Sequence, residues 1–282
     1  MQTDYQDWIG RTQTGRDIVS ADKATRLAAT LDHDRPPYAN GAEVPPLIHW
    51  LHFLPTERQS QLGVDGHPAR GGFLPPVDHL PRRMWAGSRI TFPAPLVAGM
   101  KIERRSVIRS IAEKQSGVGP LVFVTVRHEI SEVGGGLLVT DEHDIVYRGL
   151  SGAAARPAPD AGPAGEIGRS LAPDAVMLFR YSALTFNGHR IHYDRPYAVE
   201  EEGYPGLVVH GPLTATLLLD LVGRTHPRRR IAAYEFRAVS PLFDGNEIHL
   251  NGSAIADDGS IDLWAANADG GLAMKARARL EP

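Results

Sequence analysis

The chain has no cysteine in 282 residues. That absence excludes a disulfide framework, a thiol nucleophile and a thiolate-held metal. Neither sign of charge dominates: 30 Lys and Arg stand against 33 Asp and Glu, for a net charge of -3. No basic field therefore exists to hold nucleic acid or an anionic membrane. No apolar run approaches the roughly 20 residues that span a bilayer. The first residues, Met1 to Asp7, have no basic flank and no apolar core, so the expectation is no secretory leader and a cytoplasmic location. His-Glu-x-x-His and acidic calcium loops are missing too, and Gly134-Gly135-Gly136 lacks dinucleotide-binding spacing. The sequence thus predicts no metal and no cofactor. What is present, 42% hydrophobic and 22% charged residues, is the composition of a folded protein.

One segment breaks that composition. Ser151 to Ser170 is rich in Ala, Gly and Pro and poor in large apolar groups. It cannot bury enough surface to offset its ordering entropy. It reads as a linker over 151–170 between a first half, 1–150, and a second half, 171–282. The halves repeat one another. Phe92 to Ile102 and Phe236 to Ile248 both contain Pro-Leu-apolar-x-Gly-x-x-Ile. Leu121 to Ile130 is matched in order by Ile261 to Ala268, and Gly135 to Val139 by Gly270 to Met274. Three features in one order indicate a duplicated unit.

Period-two patterning predicts strands. Val122, Val124 and Val126 share a face, and Lys275, Arg277 and Arg279 form the wet face of a strand near the end of the sequence. Val176 to Tyr181 also reads as a strand. Ala21, Ala24, Leu27, Ala28 and Leu31 have helical spacing behind Ser20 as N-cap. Pro212 to Val222 is a helix apolar nearly all round, so it must be buried on most sides. Asp194-Arg195-Pro196 has the form of a capped helix start. The fold class is α+β: a curved antiparallel sheet wrapped on a long helix.

The densest polar cluster is Thr185 to Asp194, with Asn187, His189 and His192 close together. Imidazole is the side chain suited to proton transfer near neutral pH. Some 18 residues on, His210-Gly211-Pro212 opens the buried helix. A helix start offers unpaired N–H groups and a positive dipole end to an oxygen gaining charge. Together they fit proton chemistry alpha to a carbonyl, as in enolate formation from a thioester. Spacing alone also allows a loop of satisfied histidines beside an ordinary glycine.

Tyr181 to Asp194, followed by Gly206 to Leu213, strongly resembles the type 2 hydroxyacyl-thioester dehydratases of the MaoC-like hotdog superfamily. His52-Phe53-Leu54-Pro55 and Gly71 to Pro76 resemble the first-half signature of that group. Among bacterial members the chain is most similar to the mesaconyl-C4-CoA and itaconyl-CoA hydratases. The resemblance implies a double hotdog, a homodimer and an acyl-CoA thioester as substrate, with no nucleic-acid or membrane partner. The hydratase motif of the superfamily reads Asp-x-Asn-Pro-apolar-His. With His192 as its histidine, the aspartate falls on Asn187, the asparagine on His189 and the proline on Arg190. Asparagine cannot take a proton, so the implied roles are proton transfer at His192 and orientation of water or hydroxyl by Asn187. His189 braces the loop or assists.

The same resemblance places the oxyanion contact on the Gly211 N–H. His210 beside it is a candidate substrate contact, with His189, and its structural alternative is to fix the turn. The first half has no equivalent His-Gly before an apolar helix, and the stretch from Pro75 to Ser88 is too short and proline-rich for one. That half becomes a degenerate hotdog shaping the pocket, with Met84 and Trp85 as candidate tunnel residues. For the phosphates of CoA the candidates are Arg228, Arg229, Arg230 and Arg237, with Arg82 and Arg83 as alternatives. Arg190 is the candidate for a free substrate carboxylate. The implied activity is reversible water addition to an enoyl thioester, itaconyl-CoA or mesaconyl-C4-CoA giving citramalyl-CoA. A 3-hydroxyacyl-thioester dehydratase of fatty-acid metabolism, a non-catalytic acyl-CoA-binding hotdog and, more weakly, a thioesterase are the competing readings.

Overall fold

Period-two patterning turns most of the chain into strand, as the computed structural model shows for the described residues, 5–117, 119–149 and 157–281. The first half supplies β1 (Thr12–Ile18), β2 (Arg82–Thr91), β3 (Lys101–Ser116), β4 (Gly119–Glu132) and β5 (Leu137–Arg148). The second supplies β6 (Ile167–Leu171), β7 (Ile231–Ala238), β8 (Ile248–Gly252), β9 (Ser260–Asn267) and β10 (Leu272–Leu280). All ten join one antiparallel sheet in the order β1-β3-β4-β5-β2-β7-β10-β9-β8-β6. Each half repeats one order, from its first strand at the outer edge to its second at the centre. The sequence matches fall on equivalent places. Two link the central strand of each half to the next, and the paired glycine stretches turn β4 into β5 and β9 into β10. This is the double hotdog.

In β4, Val122, Val124 and Val126 are buried and their alternating neighbours partly exposed. In β10, Lys275, Arg277 and Arg279 are exposed between buried residues. The halves meet where β2 pairs with β7, Gly87 opposite Arg237 through Thr91 opposite Ala233. A bulge in the β2–β5 ladder lies at this point, between Trp85 and Gly87. A Cβ on Gly87 would lie 2.3 Å from the Phe236 carbonyl oxygen, so only glycine lets the two backbones close.

In the second half, α3 (Gly211–Thr225) buries Leu213 to Leu219, Leu221 and Val222 within the curve of the sheet. The Tyr234 hydroxyl on β7 donates to the Ala215 carbonyl at 2.8 Å and ties helix to sheet. In the first half, α1 (Ala21–Thr30) is capped by Ser20, whose Oγ accepts from the Lys23 N–H. Between Leu51 and Arg82 only a 3-10 turn, Gln59–Gln61, is helical. Pro75 to Ser88 runs into β2, and the first half has no counterpart of α3 among the described residues.

Two expectations need correction. Val176 to Tyr181 is not a strand; it belongs to α2 (Ala175–Thr185), whose N-cap Asp174 accepts from the Met177 N–H. A six-residue apolar run carries no period, and the cap decides the outcome. The linker read over 151–170 is also too long. Positions 151–156 lie outside the described residues. Beyond them Pro159 accepts from the Leu272 N–H at 2.7 Å, Ala161 donates to Gly270, and Ile167–Leu171 is the strand β6 paired with β8. Backbone pairing there replaces the side-chain burial that the segment lacks.

Gly87→Ala should cost about 2–3 kcal/mol, because both groups it would strike are backbone atoms. Urea unfolding followed by circular dichroism checks this.

Candidate active site

A 3-10 turn, Arg190–His192, carries the central imidazole. His192 is buried, and its Nδ1 lies 2.7 Å from the Val208 carbonyl oxygen. A carbonyl only accepts, so Nδ1 bears the proton and Nε2 keeps its lone pair. The ring stacks on His210 at 3.7 Å and 18°. His210 is held in turn by Ser182, 2.8 Å from its Nε2. Burial, with His189 adding, pushes His192 down to about 3. The ring is therefore neutral at ordinary pH, with one basic nitrogen available.

His210 is the N-cap of α3, so the stacked pair brings His192 beside the helix start. Gly211, as first residue, has no intrahelical acceptor for its N–H. A Cβ at Gly211 would meet nothing within 4 Å, so open space borders this amide. Asn187 follows Phe186, which ends α2 in the left-handed region. Its Oδ1 accepts from the His189 N–H at 3.0 Å, which leaves its amide nitrogen to donate.

His192, His189, Asn187 and Gly211 all line one cavity of about 1480 Å³. The cavity extends into the first half, where the missing central helix leaves space. Met84 and Trp85 line it, as do His49, Trp50, His128, Asp141 and His143. Asp141 is fully buried. Its Oδ2 accepts from His49 at 3.0 Å, Trp50 at 2.8 Å and His143 at 2.7 Å. Against the burial that would raise it, His143 and then His49 hold its pKa well below the usual carboxylate range. The network brings together residues some 90 positions apart, so no local spacing announced it.

The structure sorts the expected cations. Arg237 lines the cavity; Arg228 and Arg230 do not. Arg230 pairs with Glu281 and donates to the Phe92 carbonyl, so its charge is already matched. Arg229 donates to the Glu281 backbone carbonyl. Arg190 borders the cavity, yet its guanidinium pairs with Asp194 at 2.7 Å, donates to Val64 and covers the Tyr197 ring. It is not a free cation for a substrate carboxylate. His210 supports His192 from behind and is not part of the cavity wall. Arg82 pairs with Glu202. Arg83, Arg104, Arg148 and Arg237 line the cavity and form no ion pair among the described residues. Arg104 and Arg148 each keep a buried Nε without a partner, and burial lowers Arg104 below its usual range.

A hairpin from the first half also reaches the site. Leu62 bridges Pro68, and its tip is Asp65-Gly66-His67. The Asp65 carbonyl accepts from the Arg190 N–H at 2.9 Å. Gly66 has φ +86, and a Cβ there would sit 1.8 Å from the Gly188 carbonyl oxygen. Asp65 Oδ2 accepts from His67 Nδ1 at 2.9 Å, and the His67 ring lies 4.1 Å from His189. Ligand-type atoms of Asp65, His67 and His189 fall within 4.8 Å of one another. The carboxylate is committed to His67, which makes the trio a hydrogen-bonded dyad with a ring packed on it. Sequence reading missed Asp65 and His67; the Asp-x-His spacing of an Asx turn was the one available signal.

Burial is the largest cause lowering His49, His52, His67, His128, His189, His192 and His210. The unfolded chain takes up these protons near the ordinary value of about 6.5, and the folded chain does so only at lower pH. The unfolded state thus binds more protons in that window, and stability falls as pH drops from about 6.5 toward about 3. Calorimetry should show Tm falling steadily below about pH 6.5, with a shallower slope for His189→Asn.

The profile of the family described as hydroxyacyl-thioester dehydratase type 2 matches residues 47–244. A mesaconyl-C(4)-CoA hydratase of Chloroflexus aurantiacus is 47% identical over 279 residues, covering 98% of both chains. A MaoC-like dehydratase from Phytophthora capsici superposes with TM-score 0.72 at 14% identity, covering 96% of each chain. A Mycobacterium tuberculosis protein with a double hotdog fold superposes with TM-score 0.58 at 15% identity, over 97% of this chain and 96% of that one. The last two share the fold. The profile match and the long, close relative establish more: this chain is an enzyme and belongs to the type 2 hydroxyacyl-thioester dehydratases.

Proposed function

We propose that the protein adds water reversibly to a short enoyl-CoA bearing a second carboxylate, mesaconyl-C4-CoA giving citramalyl-CoA, with itaconyl-CoA as the neighbouring candidate. One observation carries this reading. A neutral imidazole with a free Nε2, an unpaired helix-start amide and an unpaired buried arginine border the same cavity. His192 takes a proton from water as the oxygen bonds to the β-carbon. The π electrons move to the thioester oxygen, and the Gly211 N–H and the α3 dipole hold the charge that collects there. Asn187 donates to the water or hydroxyl through its amide nitrogen. Arg104, which lines the cavity and forms no ion pair among the described residues, fits the free carboxylate better than the already paired Arg190. Arg83, Arg148 and Arg237 remain for the phosphates of CoA. The 47% identity to the Chloroflexus hydratase supports the choice of substrate. The reaction as proposed needs no cofactor, and the proposed location is the cytoplasm. The assembly is a homodimer; light scattering should give twice 30.7 kDa.

The test uses purified protein with mesaconyl-C4-CoA, itaconyl-CoA and crotonyl-CoA, following loss of the alkene. His192→Ala should lower kcat roughly a hundredfold to ten-thousandfold. Hydration that survives it removes the mechanism. Gly211→Ala should leave Tm unchanged, since its Cβ meets nothing, yet lower kcat/KM by about a hundredfold by displacing the acyl group. Arg104→Met should raise KM for the dicarboxylic thioesters by roughly thirtyfold, about 2 kcal/mol, and spare crotonyl-CoA. Preference for crotonyl-CoA would favour the fatty-acyl dehydratase, and tight thioester binding without turnover would favour a sensor.

A further inference from the structure

Hydration moves two protons: one leaves water and one reaches the α-carbon. Asn187 cannot carry the second, and its Oδ1 is occupied by the His189 N–H. Nothing else on the second-half loop combines a titratable side chain with a counter-charge. Arg190 and Asp194 neutralise each other. His189 has no carboxylate bonded to it, and burial with His67 nearby pushes it down to about 3.

The hairpin from the first half provides that combination. From this geometry we infer that His67, backed by Asp65, is the second proton-handling residue of the site. His67 Nδ1 is tied to the Asp65 carboxylate, so Nε2 is its working nitrogen. Asp65 is fixed twice more, by its Oδ1 accepting the His67 N–H at 3.0 Å and its carbonyl accepting the Arg190 N–H. The contact of Gly66 with Gly188 sets the hairpin against the loop that carries His192. His67 lines the same cavity as His192, with the His189 ring between them at 4.1 Å and 5.4 Å. The groups facing His67 are Asp65 and Arg70 on its own hairpin, Arg83 on β2, and His189 and His192 on the loop. Asp65 is the one anion among them. Burial lowers His67 overall, but its hydrogen bond to that carboxylate opposes the burial, a support that neither His189 nor His192 has.

The step balances. His192 Nε2 takes one proton of water, and the remaining hydroxyl bonds to the β-carbon. The displaced π pair passes to the thioester oxygen. The His67 imidazolium gives its Nε2 proton to the α-carbon as the C–H bond forms and the thioester carbonyl is restored. The proton left on His192, in a site that disfavours its cation, returns to His67 before the next turnover. Dehydration runs the same steps in reverse.

This inference rests on the hydration reading, and the experiment separates the two. The kcat and KM of wild type, His67→Gln and Asp65→Asn are measured across pH with mesaconyl-C4-CoA, together with Tm. His67→Gln should lower kcat by about a hundredfold or more with KM unchanged, and should abolish the alkaline limb of the profile. Asp65→Asn keeps an Oδ1 for the turn but loses the charge. Its alkaline limb should move to lower pH by about one unit, because the carboxylate no longer favours the imidazolium. A folded His67→Gln with wild-type kcat and limb overturns the inference, as does one that loses only KM. If His67→Gln does not fold, an unshifted limb in Asp65→Asn overturns it. A wild type that hydrates no thioester overturns the hydration reading and this inference together.

Discussion

The pairing of β2 with β7 is the constraint on which the molecule depends. It makes one sheet of two halves and depends on the missing side chain at Gly87. Around this seam Trp50, Trp85 and Phe236 meet edge-on and tilted, at 4.8 and 5.9 Å. Trp50 in turn donates to the buried Asp141. The seam is thus apolar contact locked by one polar network, and the larger of two clusters of buried residues runs through both halves. The cavity exists because the two halves are joined here and only one of them fills its own curve with a helix.

The electrostatics of the site follow from that burial. Desolvation keeps His192 neutral, and the Val208 carbonyl chooses which nitrogen is basic. The stacked His210 fixes the plane of the ring and brings it to the start of α3. The helix-start amide of Gly211 borders the same cavity, and the unpaired arginines give that cavity a positive character that no bulk charge excess reveals.

Much of this was legible because it is local. Ser20 and the spacing through Leu31 set α1. The apolar run after Gly211 set α3, and the alternation of Val122, Val124 and Val126 set β4. The glycine turns and Pro-Leu segments announced the duplication before any strand pairing was known. His192 and Gly211 stood out because each sits in a short stretch with a chemical reason to be there. Elements set by distant contacts stayed hidden. Val176 to Tyr181 has no period, and only Asp174 marks α2. Arg228 and Arg230 are prominent in sequence, but Glu281 neutralises one and neither reaches the cavity. Asp141 and the Asp65–His67 pair acquire meaning only when residues about 90 to 120 positions apart are brought together.

The helix missing from the first half has a consequence for how such a chain changes over time. An assembly of identical single units must keep every alteration in both copies, so room gained in one place is chemistry lost in its twin. Fusion removes that symmetry requirement. Here the second copy keeps the helix start and the first has given up its helix, so each half can supply different residues to one cavity. New acyl groups can then be accommodated by altering first-half wall residues such as Met84 and Trp85 without touching the helix start.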